Sequence, residues 1–162
     1  MKILGKRSLS SIVTVFLEIL LIICIFMIIS GIIILVKNFE LYINLKIDKI
    51  LIIVYLSSIP SAFLIMQFID IFKGLRSGNI FDKTNLKRLK ISYIISFIIC
   101  LMYIINGVII IFNNIEKELF IMYSIFTYVI SLVFLIFGIG LMVLSEIYKR
   151  AIKYKEENEL TI

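Results

Sequence analysis

The chain has 162 residues, 62% of them hydrophobic and only 17% charged, with a formal net charge of +6 and a mean hydropathy of +1.13. A soluble domain is about half apolar and about a quarter charged, and one small core could not hide this much apolar surface. An ordinary soluble fold and a disordered chain are therefore excluded, and the length suits one domain.

A membrane-crossing helix needs about 20 mostly apolar residues, and four runs qualify. Lys2, Lys6 and Arg7 resemble the basic start of a signal peptide. The apolar run behind them is too long for one and has no small-residue cleavage site, so an uncleaved signal anchor is expected. There is no acylation motif such as a Gly at position 2. Helix one is placed at 11–36, where Glu18 is the only charge. Helix two follows at 50–72, with Asp70 as its only charge, helix three at 91–112 and helix four at 119–145, both uncharged. A membrane barrel would show alternating polarity in segments of about ten residues instead. The expected fold class is all-α: a polytopic membrane protein, a four-transmembrane-helix bundle with a cytoplasmic amphipathic C-terminal helix extension over 146–162.

Lys and Arg counts set the orientation. The N-terminus, the loop 73–90 and the tail 146–162 together carry thirteen, whereas the loops 37–49 and 113–118 carry four. Both termini are thus expected in the cytoplasm of a multi-pass protein of the bacterial cell membrane. Ile supplies 40 of the 162 residues, a usage associated with AT-rich bacterial genomes.

The loop 73–90 contains a turn signal in Ser77-Gly78-Asn79. Asp82 then stands as the N-cap of helix three, with Thr84 and Asn85 as near alternatives. Phe81 precedes the cap, where it could staple the helix start or lie in the membrane interface. Helix three is therefore expected to begin a turn or two before the bilayer. In the tail, Leu144, Ile147, Tyr148, Ala151 and Ile152 recur at helical spacing while charges fill the other face. This predicts an amphipathic helix that packs on loop 73–90 or lies on lipid, with a favourable Glu146–Arg150 pair.

Two short motifs carry a resemblance. The segment from Gly78 through Asn79, Ile80, Phe81, Asp82, Asn85, Arg88 and Leu89, and the ending Glu157-Asn158-Glu159-Leu160-Thr161-Ile162, resemble the loop and the close of the bacterial family called domain of unknown function 2975. Ile80 stands where that family prefers Pro. The resemblance implies a four-helix membrane protein, often encoded beside a small helix-turn-helix DNA-binding protein that it could hold or release. It brings no catalytic or ligand residues. It makes Phe81, Asp82, Asn85 and Arg88 in the loop, and Ile147, Ala151, Glu159, Leu160, Thr161 and Ile162 in the tail, the candidate docking residues.

Ionisable groups inside a membrane are functional candidates by default. Glu18 is expected either to pair with Lys73 or Arg76 or to form a polar site, and Asp70 to pair with Lys73 at its own helix end. Ser57, Ser61, Gln67 and Asn106 complete the intramembrane polar candidates. Ser57 with Ser61, and Ser58 with Ala62, form small-residue pairs that allow close helix packing, and Pro60 removes a helical hydrogen bond. Cys24 and Cys100 read as small buried hydrophobes.

An enzyme is not expected: there is no His, the commonest general base, and no metal motif or phosphate-binding glycine loop. No cofactor, no metal and no direct nucleic-acid binding are expected. The leading expectation is a membrane regulatory protein that binds a helix-turn-helix regulator through 73–90 and 146–162. The alternative is a small-molecule binder, transporter or immunity-type membrane protein with a polar site around Glu18. Besides the lipid bilayer and the regulator, a homodimer through helix two stays open.

Overall fold

The structure, a computed structural model, describes residues 9–37, 46–76, 82–112 and 117–159. Among them the fold is all-α, with four helices: α1 (Leu9–Lys37), α2 (Lys46–Arg76), α3 (Lys83–Phe112) and α4 (Lys117–Glu159). All four are long and apolar enough to cross a membrane, which makes this a multi-pass membrane protein. Each helix overruns its expected span. The overrun is largest in α4, whose 43 residues reach about 65 Å at 1.5 Å per residue, against about 30 Å of hydrocarbon. α2 continues through Pro60.

Successive helices are antiparallel. Glu18 and Gly31 of α1 meet Lys73 and Tyr55 of α2. Ser57 and Asp70 of α2 meet Tyr103 and Arg88 of α3. Lys83 and Cys100 of α3 meet Glu156 and Ser131 of α4. The N-terminal end of α1, the end of α2, the start of α3 and the end of α4 therefore lie on one side. The main helix contacts run in chain order, α1 with α2, α2 with α3 and α3 with α4. α2 and α3 are the two inner helices of the row, while α1 leans on α2 alone in those main contacts and buries few of its side chains.

The α3–α4 contact is a regular seam. On α3 the buried positions include 85, 89, 92, 96, 99, 103, 106 and 110. On α4 positions 127, 131, 138, 141, 145 and 152 are buried, with Phe134 and Tyr148 packed between them. Both series step by four and three, the spacing that keeps one stripe facing a neighbour along a left-handed pair. Lipid is as apolar as Leu, so packing here depends on close approach, which small side chains allow. Ser92, Ser96, Ser131 and Ser145 lie inside, while Ile94, Ile98, Leu132 and Val133 face outward. Three of these hydroxyls bond within their own helix, Ser92 donating to the Arg88 carbonyl, Ser96 to the Ser92 carbonyl and Ser145 to the Met142 carbonyl, each at 2.9 Å, whereas Ser131 donates across the seam to the Cys100 carbonyl at 3.5 Å. Leu64, Ile95, Ile99 and Tyr103 form the apolar centre between α2 and α3.

Gly138 shows how tight the seam is. A Cβ placed there would meet Phe97 Cε1 at 2.9 Å, whereas one at Gly140 would meet nothing within 4 Å. Overpacking of this kind costs about 1–3 kcal/mol. Gly138→Val is expected to lower the thermal unfolding midpoint in detergent, read by helical circular dichroism, and Gly140→Val to leave it in place.

Candidate functional site

The side that holds the start of α1 and the end of α4 carries most of the charge, and it is built around one guanidinium. Arg88, a turn and a half into α3, reaches back to the last turns of α2. It donates to the Asp70 carbonyl at 3.0 Å, faces the Asp70 carboxylate at 3.4 Å and donates to Asn85 Oδ1 at 3.4 Å. Arg suits this role because its planar fork serves several acceptors at once. Asn85 is only 2% exposed and lies flat against Gly74, where a Cβ would stand 2.9 Å from both of its terminal atoms. Gly74 thus lets α3 approach α2 closely enough for the clasp to close.

Asp82 caps α3. The Thr84 N–H donates to Asp82 Oδ1 at 3.3 Å, and the Leu86 N–H donates to the Asp82 carbonyl at 3.2 Å. The Thr84 N–H holds the Asp82 carboxyl below its usual range. The cap therefore contributes above the carboxyl's ordinary value and is lost as pH falls through the lowered one. Next to it, Lys83 meets Glu156 at 2.8 Å, and that bond raises the ammonium's pKa. This pair ties the start of α3 to the last turns of α4.

The tail extension is a helix as far as Glu159, as expected, and its apolar stripe is split between the packed and the outward face. Leu141, Ser145 and Ile152 are buried, with Tyr148 packed between them, while Leu144 and Ile147 are 46% and 59% exposed. The reason is the change of surroundings along α4. Within lipid the apolar side chains turn out and the small ones turn in. That phase carries on into the extension, because the helix is unbroken. Two expected ion pairs also change partner. Asp70 pairs with Arg88, because the fork from α3 serves both its carboxylate and its carbonyl, and Lys73 is taken by Glu18 at 3.5 Å. Glu146 pairs with Lys149 at 3.7 Å in place of Arg150.

The other candidates fall as follows. Glu18 does pair with a cation, and its partner's place near the end of α2 puts it in the charged belt closing the apolar slab. Its side chain is 49% exposed. Asn85 and Arg88 work inside the fold, so neither is a free docking group. Ser57 shares a hydrogen bond with the Tyr103 hydroxyl at 3.1 Å, and Ser61 donates to the Ser57 carbonyl at 2.8 Å. Ser57, Ser58 and Ala62 are buried, so this small-residue face of α2 is already in use within the chain. Gln67 is half-buried, and so is Ala151. Phe81, Leu160, Thr161, Ile162 and the side chain of Glu159 lie outside the described residues.

Asn106 is 1% exposed, and neither its amide nitrogen nor its oxygen has a partner among the described residues. A buried amide left so costs about 1–3 kcal/mol.

Grooves mark the surface of the described residues at three places of note. One of about 200 Å3 lies between α1 and α2 beside Gly31 and Tyr55. One of about 450 Å3 opens between Leu86 and Ile152, rimmed by Lys83, Lys153 and Glu156. The third, of about 610 Å3, lies between Lys90 and Arg150. Spacing alone does not reveal these cross-helix features, though the four-three recurrence of small residues on α4 marks its packed face.

Four antiparallel spans, clasped by charge at one end and seamed by small side chains through the middle, define a small helical multi-pass membrane protein. The chain belongs to the family described as "Protein of unknown function (DUF2975)", which matches residues 7–162. No curated protein and no solved structure matches it.

Two measurements check the polar groups. Arg88→Ala should destabilise the protein by about 1–3 kcal/mol, the range for orphaning a hydrogen-bonded charged group, while Lys87→Ala should stay within about 0.5 kcal/mol. Asn106→Leu removes an unpaired amide at similar volume and should raise the melting temperature. A fall would show that the amide is satisfied.

Proposed function

We propose that this chain is a regulatory protein of the bacterial cell membrane, with both termini in the cytoplasm. In this reading it docks a small helix-turn-helix transcription regulator on the surface made by 73–90 and 146–162. The observation that supports it most is the end of α4. This helix runs on past its apolar segment, braced on α3 by Lys83–Glu156, and presents a stripe of Ile147, Ala151 and Tyr154 bordered by charge. Tyr154 is 66% exposed. An amphipathic helix face held rigid in this way suits recognition of another helical protein. The partner's class comes from the family resemblance, and the sidedness from the Lys and Arg distribution.

Asp82, Asn85 and Arg88 have a supporting role in this proposal. They fix the start of α3 and so fix the base on which the α4 extension stands. The alternative, a ligand or transport site around Glu18, has less support. Glu18 is engaged with Lys73 and lines none of the three grooves.

A photo-crosslinking residue at position 154 in the native host should capture a small DNA-binding protein. The same residue at the outward-facing position 126 should capture only lipid. Adducts confined to lipid at both positions would contradict the docking surface. A cysteine at position 154, with Cys24 and Cys100 replaced, should react with an impermeant maleimide only after the cells are opened. Reaction in intact cells would overturn the sidedness.

A further inference from the structure

We propose that the groove between the start of the apolar part of α3 and the end of that of α4 binds the headgroup of an anionic phospholipid. Its position is the first argument. Lys90 is the last charge before the uncharged stretch of α3, and Glu146 is the first after that of α4. Both line this groove, which therefore straddles the boundary where a lipid phosphate lies.

Charge is the second argument. Lys73, Lys83, Arg88, Lys149 and Lys153 are each matched by a carboxylate. Lys90 and Arg150, facing each other across the groove, have no ion pair among the described residues. Arg76 and Lys87 have none either, but they do not line this groove. Glu146 is the one acid in the lining, and Lys149, outside it, balances that charge at 3.7 Å. Among the described residues, the groove is left with two positive charges that no carboxylate pairs.

The walls supply the third argument. Met142, Val143 and Ile147 are 46%, 52% and 59% exposed and line the groove. They continue into the outward face of α4 at Ile139 and Ile136. Tyr93 stands on the α3 side, at the depth where amphipathic rings settle in membranes. A phosphate between Lys90 and Arg150 would thus have its acyl chain led directly along an apolar track. Basic pockets between helices at a membrane surface recognise lipid headgroups in this way. The groove rimmed by Lys83, Lys153 and Glu156 shares Arg150 but fits this role less well, since Lys83, Lys149 and Lys153 are already paired and two acids, Glu146 and Glu156, line it.

The test uses the full chain in a neutral detergent, with phosphatidylglycerol and phosphatidylcholine titrated separately and retained lipid counted by native mass spectrometry. Phosphatidylglycerol should be retained at least about tenfold more tightly, and should raise the melting temperature more. Lys90→Gln with Arg150→Gln should remove that preference. Lys87→Gln with Arg76→Gln, which removes the same net charge, should keep it. All four side chains are exposed, so both double variants are expected to fold, and circular dichroism checks this. Equal retention of the two lipids, or equal loss in both double variants, would overturn the site. Equally tight binding of inorganic phosphate alone would show a free-anion site and overturn the lipid assignment.

Discussion

Close approach of α3 to its neighbours is the constraint on which the rest of this structure depends. In hydrocarbon, burying an apolar side chain between helices gains little over leaving it against lipid. What remains is dispersion between surfaces that fit, and each contact is individually small. The seam positions of α3 and α4 follow from that. Ser92, Ser96, Gly107, Ser131, Gly138 and Ser145 keep the backbones near each other, and larger groups such as Phe97 and Tyr128 rest on the glycines. The hydroxyls cost little, because each finds a carbonyl: Ser92, Ser96 and Ser145 on their own helix, and Ser131 on Cys100 across the seam. Bulky Ile, Leu and Val are left to face lipid, which reverses the inside–outside rule of soluble proteins.

The charged end of the bundle depends on the same geometry. Arg88 can clasp Asp70 and Asn85 only because Gly74 lets the two helix ends meet. Lys83 reaches Glu156 only because α3 and α4 keep the seam in register for the whole length of α3. These charges are partly exposed, so each pair contributes modestly. Their joint effect is to fix where α3 starts and how the α4 extension stands. Cations left over from this pairing, Lys90 and Arg150 among them, are those available to lipid.

Much of this was legible in the sequence, and the failures have a physical pattern. Four uninterrupted apolar runs separate spans from loops without ambiguity, and Asp82 before Lys83 reads as a cap because a short acceptor at that place serves a free N–H. Partners distant in sequence were harder. Local spacing pairs Asp70 with Lys73 on its own helix and hides Arg88, the cation it meets. The periodicity of the tail marks one apolar stripe from Leu144 to Ile152 and leaves open whether it meets loop 73–90 or lipid; the structure buries Ile152 and leaves Leu144 and Ile147 exposed. The small residues mark the inner face instead, because α4 carries its membrane phase past the boundary. Asn85 and Arg88 stand in a motif that resembles a family signature, and a motif does not distinguish docking groups from bracing groups. Their burial places them among the latter.

The most direct test of this architecture is the proximity of the start of α3 to the end of α4. With Cys24 and Cys100 replaced by Ala, cysteines at positions 83 and 156 would be treated in native membranes with a short phenylene bismaleimide. An intramolecular cross-link in most molecules, detected as a shifted band after cleavage between the sites, is the predicted result. Absence of that cross-link, with both cysteines still reactive to a simple maleimide, would show that the extension of α4 does not stand on α3.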